Sequence, residues 1–250
     1  MAAAAVSAAV ALAGWRAGSL TGDGTVAATV VGTLVLAGTG WEGGLVLAAF
    51  FVSSSAIGRL LPVRAGDAKG ERRDRHQVVA NGGPAALAAL VGNFDPAIAL
   101  CMVTGSLAAA AADTWATSVG GLSSSPPRRL FFGASVPPGT SGGMTAAGTL
   151  GGLAGAALVA VVGGLAGGGS RLAVVGTLVG FAGMVADSAL GAAAQGRFRC
   201  PACDAATEWP VHRCGTRTIR TGGFAWLDND GVNLAATLFA ALLAGWAWRS

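Results

Sequence analysis

The chain has 250 residues, of which 53% are hydrophobic and only 11% charged, with a mean hydropathy of +0.61 and a formal net charge of +4. Soluble domains carry about 25% charged residues, so this composition excludes a water-soluble globule and places the chain in a lipid bilayer. Nothing in its basic loops resembles a nucleic-acid module.

Apolar runs broken by polar or Gly/Pro clusters predict helices at 2–15, 24–39, 43–61, 78–92, 95–121, 143–166, 171–194 and 231–248. The fold class is all-α: a polytopic membrane bundle of about eight transmembrane helices. Residues 1–250 form a single integral membrane domain, because no polar linker is long enough to separate two. The first run lacks the basic flank of a signal peptide and is read as a helix. The first, fourth and eighth runs are short for a lipid-facing span and are expected to be tilted, broken or packed inside the bundle. Small residues four apart, Gly148 with Gly152 and Gly151 with Gly155, let helix backbones approach closely.

Eight helices put alternate loops on one side, and that side receives every Lys and Arg except Arg171 and Arg249. By the positive-inside rule these loops are cytoplasmic, which puts both termini outside the cell inner membrane. The polar motifs fall on the same side, at or within about two turns of the helix ends.

In chain order, KGERRDRHQVVANGGP carries Lys69, Arg73 and Gln77 into the fourth helix and is expected to break it at Asn81, Gly82, Gly83 and Pro84, where freed N–H groups suit an anion. VPPGTSGGMT offers Gly139, Thr140, Ser141, Gly142 and Gly143 just before a helix N-terminus, an arrangement that favours phosphate but lacks the Lys of a Walker A loop. As an isolated motif it also reads as a Pro/Gly turn.

Three aspartates interrupt apolar segments: Asp113, Asp187 and Asp230. An ionised carboxylate at mid-bilayer costs on the order of 3 kcal/mol, so such acids face water, a partner or a metal. Thr114 follows Asp113, Ser188 and Gln195 follow Asp187, and Asn229 and Asn233 flank Asp230. Asp187, Gly191 and Gln195, spaced four apart, share one helical stripe. These oxygen donors suit Mg²⁺. The rival reading is that each acid pairs with an arginine or caps a helix, which is strongest for Asp228 and Asp230 at a helix start.

The last basic loop, at 196–222, contains RCPACDAATEWPVHRCG. Cys200 and Cys203 have zinc-knuckle spacing, and His212 and Cys214 can close a tetrahedron around structural Zn²⁺. A disulfide is disfavoured in a reducing cytoplasm, which leaves unligated thiols as the alternative.

The ordered series KGERRDRHQVVANGGP, ADTWATSVG, VPPGTSGGMTAAG, DSALGAAAQ and WLDNDGVN resembles the integral-membrane family that includes plant phytyl-phosphate kinase and transmembrane protein 19, over about 18–244. The resemblance implies phosphoryl transfer from CTP or ATP to an isoprenoid monophosphate (prenyl or phytyl phosphate). It points to Lys69, Arg73, Gln77, Asn81, Asp113, Thr114, Gly139, Thr140, Gly142, Gly143, Asp187, Ser188, Gln195, Asn229, Asp230 and Asn233. The cysteines are not general in that family, and the third metal ligand falls at Asp228 or Asp230.

On this reading Mg²⁺ held by Asp113, Asp187 and Asp230 bridges nucleotide phosphates, while Lys69, Arg73 and the glycine loop hold the rest. Two alternatives stay open: a cytidylyltransferase acting on a lipid phosphate, and a cation- or proton-coupled transporter. A transporter would place polar residues at the midplane and in the outer half, whereas these cluster at the inner ends.

Overall fold

The computed structural model describes residues 1–61, 72–130 and 133–250. Among them the α-helices are α1 (Ala2–Arg16), α2 (Gly22–Leu60), α3 (Arg75–Ala89), α4 (Pro96–Gly120), α5 (Ala146–Gly163), α6 (Gly169–Ala194) and α7 (Asn229–Arg249). α2 consists of two arms, because Gly40 has φ 66° and ψ −158°, a backbone state open to glycine, in the gap predicted between 24–39 and 43–61. A second glycine break joins α5 to α6, where Gly167 has φ 156°.

By length and apolarity, Gly22–Leu60, Pro96–Gly120, Ala146–Ala194 and Asn229–Arg249 can cross a membrane. The molecule is therefore an all-α polytopic membrane protein. α1 and α3, with 15 residues each, are about 22 Å long at 1.5 Å per residue. That is shorter than a hydrocarbon core of roughly 30 Å.

The core forms around α4, which packs against α2, α3, α5, α6 and α7. From Leu107 to Ala112 no residue is more than 2% exposed. Alanine makes α4 narrow, and glycines on its neighbours let them come in: a methyl at Gly183 would lie 2.5 Å from Ala109 Cβ, and one at Gly180 2.6 Å from Ala108 Cβ. Within lipid, helix association rests on this close packing, because lipid tails are as apolar as the side chains.

α3 corrects one expectation. Asn81, Gly82, Gly83 and Pro84 do not break it; the helix runs from Arg75 to Ala89 with Pro84 inside. Proline has no N–H for the carbonyl four residues back, that of Ala80. Thr237 Oγ1 of α7 lies 2.9 Å from the Ala80 carbonyl and 2.8 Å from the Asn233 carbonyl of its own helix, so its single proton is shared and offers the freed acceptor a partner from across the bundle. α3 also starts earlier than predicted, because Asp74 and Gln77 form a reciprocal capping box.

Both glycine breaks lie at one end of the bundle: Gly167 approaches Glu42, and Gly92, just past α3, approaches the Gly38 carbonyl. The longer connections occupy the other end. There β1 (Arg128–Arg129) pairs with β2 (Gly143–Met144), and β3 (Arg197–Arg199) lies between β4 (Ala206–Thr207) and β5 (Ile219–Gly222).

Candidate functional site

A cavity of about 320 Å³ opens at the end of the bundle that carries the longer connections. Its wall brings together two cations, Arg59 and Arg73, the carboxylate of Asp113, and the amides of Gln77, Asn81, Asn229 and Asn233. Hydroxyls from Ser19, Ser54, Ser55, Thr114, Thr117 and Ser118 complete it. These residues come from five separate stretches of chain, so the cavity is a product of tertiary packing.

Arg73 is fixed through its backbone: its N–H donates to the Ser19 carbonyl at 3.0 Å, and its carbonyl accepts from Thr21 N at 3.1 Å. Its guanidinium stacks over Phe50 and Phe51, 5.2 and 5.8 Å from the ring centroids. Among the described residues it has no carboxylate partner within ion-pair distance. Burial lowers its pKa to about 10, which leaves it charged at neutral pH. Arg59 donates to Ser19 Oγ at 2.8 Å and to the Ala17 carbonyl.

Gln77 uses Oε1 in the capping box, accepting from Asp74 N at 3.2 Å. Asn81 donates to the Gln77 carbonyl at 2.9 Å, which leaves its Oδ1 for the cavity. Ser54 is 2% exposed, and its Oγ has no hydrogen-bond partner among the described residues. A buried hydroxyl left in that state is destabilising unless a ligand or water satisfies it.

Asp187 stands beside this cavity on α6. α4 and α6 both end at this end of the bundle, and Asp113 and Asp187 each lie one helical turn beyond the Ala109–Gly183 contact. Asp187 is within electrostatic reach of both Asp113 and Glu208. Its Oδ2 is buried and has no hydrogen-bond partner among the described residues.

The stripe of Asp187, Gly191 and Gln195 faces the glycine loop. A methyl at Gly191 would lie 3.6 Å from Gly142 N and from Ser141 Cβ. Gly142 combines φ 75° with a backbone so close to α6 that a methyl would fall 2.5 Å from the Ser188 carbonyl. Gly142 thus packs against Ser188 and Ala192, and Gly139, Thr140, Gly142 and Gly143 are not part of the wall around Arg73. Thr140 Oγ1 and Gly143 N both bond within the turn. The N-terminus of α5 is capped by Thr145, which accepts from Gly148 N at 3.0 Å, so the loop does not sit at a bare helix end. Gln195 is 2% exposed, and its Nε2 lacks a partner among the described residues.

Asp228 caps α7, accepting from Gly231 N at 2.9 Å. Asp230 lines a neighbouring hollow with Asp23, Arg75, His76 and Asp228, whereas Asn229 and Asn233 face the first cavity. Lys69 lies outside the described residues.

In the connection between α6 and α7, the ligand atoms of Cys200, Cys203, His212 and Cys214 lie within 4.8 Å of one another. Cys214 Sγ is 3.6 Å from Cys200 Sγ and 3.1 Å from His212 Nδ1. Hydrogen bonds with Thr216 and His212 push the Cys214 thiol down to about 5, while that of Cys203 is pushed up to about 11 by its bond with Cys214.

Sequence reasoning missed Ser19, Ser54, Ser55, Gly58, Arg59 and Ser118 in the cavity wall, and Glu208 beside Asp187. The run Ser53-Ser54-Ser55 inside an apolar helix was the available signal for two of them. Glu208 carried none, because Ser141, whose Oγ donates to Glu208 Oε1 at 2.5 Å, is 67 positions away.

The family described as integral membrane protein DUF92 matches residues 5–241. A protein of Methanocaldococcus jannaschii described as an uncharacterized membrane protein is 33% identical over 175 residues, which cover 69% of this chain and 74% of its own length. No solved structure matches the chain.

Proposed function

The chain belongs to the DUF92 family of integral membrane proteins, and from that premise we propose that it is a membrane-embedded, Mg²⁺-dependent phosphotransferase that makes an isoprenoid diphosphate from the monophosphate and CTP or ATP. The observation that carries this reading is the cavity wall, where Arg73, free of any carboxylate among the described residues, faces Asp113 across a space rich in amides and hydroxyls. Cations, neutral donors and a carboxylate in one pocket match a phosphate ligand with a divalent cation.

The donors fit Mg²⁺. Asp113 and Asp187 are hard oxygen ligands on adjacent helices, and the buried Oδ2 of Asp187 has no protein partner among the described residues. When bound, the ion would neutralise phosphate oxygens and the mutual repulsion of the two carboxylates. Arg73 and Arg59 would hold the remaining phosphate charge, and Ser54, Asn81 and Asn233 would orient it. The monophosphate oxygen attacks the terminal phosphorus of the nucleotide and the nucleoside diphosphate leaves. The attacking oxygen is already ionised, so the site needs no strong base.

Among the described residues, the basic connections and the cavity share one end of the bundle, which on the positive-inside rule would face the cytoplasm and its nucleotides, with both termini outside. The prenyl chain would lie in the bilayer beside the Gly/Ala-rich helices. The test is to incubate purified protein in detergent with Mg²⁺, CTP or ATP and a panel of prenyl monophosphates, and to identify the product. A prenyl diphosphate is expected; a CDP-lipid, or no nucleotide-dependent product across the panel, overturns the reading.

A further inference from the structure

The geometry points to a structural zinc ion held by Cys200, Cys203, His212 and Cys214 that anchors Glu208 against the glycine loop. Two tight turns present the four ligands. In the first, Cys200 N donates to the Ala205 carbonyl at 2.8 Å across the β3–β4 connection; in the second, His212 N donates to the Thr216 carbonyl at 2.9 Å and Gly215 N to the His212 carbonyl at 2.8 Å. With a Zn–S bond of about 2.3 Å, two sulfurs of a tetrahedral site stand about 3.8 Å apart. The observed Cys200–Cys214 separation is 3.6 Å, well beyond a disulfide bond of about 2.05 Å.

Three sulfurs and an imidazole confined within 4.8 Å form a soft donor set with no position left for substrate. That composition fits a staple and not a catalytic centre. The staple has a target, because Glu208 lies between its two halves and accepts from Ser141 Oγ at 2.5 Å. Ser141 precedes Gly142, whose backbone rests on α6 beside Ser188, and Glu208 is in electrostatic reach of Asp187. The base of the connection is closed independently, by Phe224 N to the Ala194 carbonyl at 2.8 Å and Gly196 N to the Leu227 carbonyl at 2.9 Å. Zinc would therefore fix the outer half of the connection, where Glu208 sits, without being needed to join α6 to α7.

The test uses full-length protein purified without metal-affinity chromatography and reads zinc content and amide exchange, so it does not depend on the reaction proposed above. Wild type is expected to hold about one zinc per chain, retained in Glu208→Ala and lost in Cys203→Ser and His212→Ala. Chelation of wild type and the Glu208→Ala change should each speed amide exchange across 137–145. Folded wild type without zinc, whether its loop thiols react freely or form a disulfide, overturns the site. Zinc that can be removed with no change at 137–145 overturns the anchoring. Cys203 is exposed, so its substitution tests ligation with little disturbance of the core.

Discussion

Ser54 separates what the fold needs from what a ligand needs. Its hydroxyl is buried and unpaired among the described residues, so it adds little to the stability of the empty protein. Ser54→Ala is expected to leave the melting temperature unchanged or slightly raised, while weakening Mg-nucleotide or prenyl-phosphate binding by about tenfold, the worth of roughly one hydrogen bond. Calorimetric titration beside a thermal melt reads both quantities, and an unchanged affinity would remove Ser54 from the site. Arg73 makes the complementary case. Arg73→Ala removes a cation that no described carboxylate neutralises, so ligand affinity should fall by about 10- to 100-fold, with Arg73→Lys in between because it keeps the charge but loses the planar fork. Equal affinity in all three proteins would make Arg73 a packing residue over Phe50 and Phe51.

α3 shows why an element can be read correctly in place and wrongly in shape. Its position was legible from the basic run followed by an apolar stretch, but the Gly-Gly-Pro sequence was not evidence of a break. The acceptor freed by Pro84 shares the Thr237 hydroxyl, 157 positions away, with the Asn233 carbonyl, and no local pattern reveals such a partner. This predicts a coupled pair of substitutions. Thr237→Val strands the buried Ala80 carbonyl and should cost about 1 to 3 kcal/mol of stability. Adding Pro84→Ala restores an N–H to that carbonyl, so the penalty of Thr237→Val should shrink in that background, a non-additivity that denaturant or thermal unfolding of the four proteins would show. Additive effects would mean the Thr237 bond does not substitute for the proline's missing donor. The Gly40 turn, by contrast, was visible in sequence because glycine marks it directly.

Across the whole molecule, the alternation of apolar helices and basic loops made the bundle and the polar end legible, since both follow from periodicity and charge. Which motifs share a cavity was not legible. Arg73, Gln77, Asn81, Asp113, Asn229 and Asn233 do meet, but the glycine loop turns towards Asp187, and Asp230 faces a separate hollow, because helix packing decides these directions. The proposed orientation predicts that an impermeant thiol reagent in intact cells labels cysteines introduced beside Glu42 or Asp95 and spares one beside Arg128. The reverse pattern would put the cavity outside the cell. Under the proposed function, Asp113 and Asp187 share a Mg²⁺ that serves phosphoryl transfer. The most direct test of this is Mg²⁺-dependent turnover of Asp113→Asn and Asp187→Asn, measured together with their thermal melts. Both variants are expected to stay inserted and melt at or above wild type, because removing an acid lowers the cost of burial, while turnover falls on the order of a hundredfold or more. Near-normal turnover in both, or loss of the folded state in place of turnover, would contradict it.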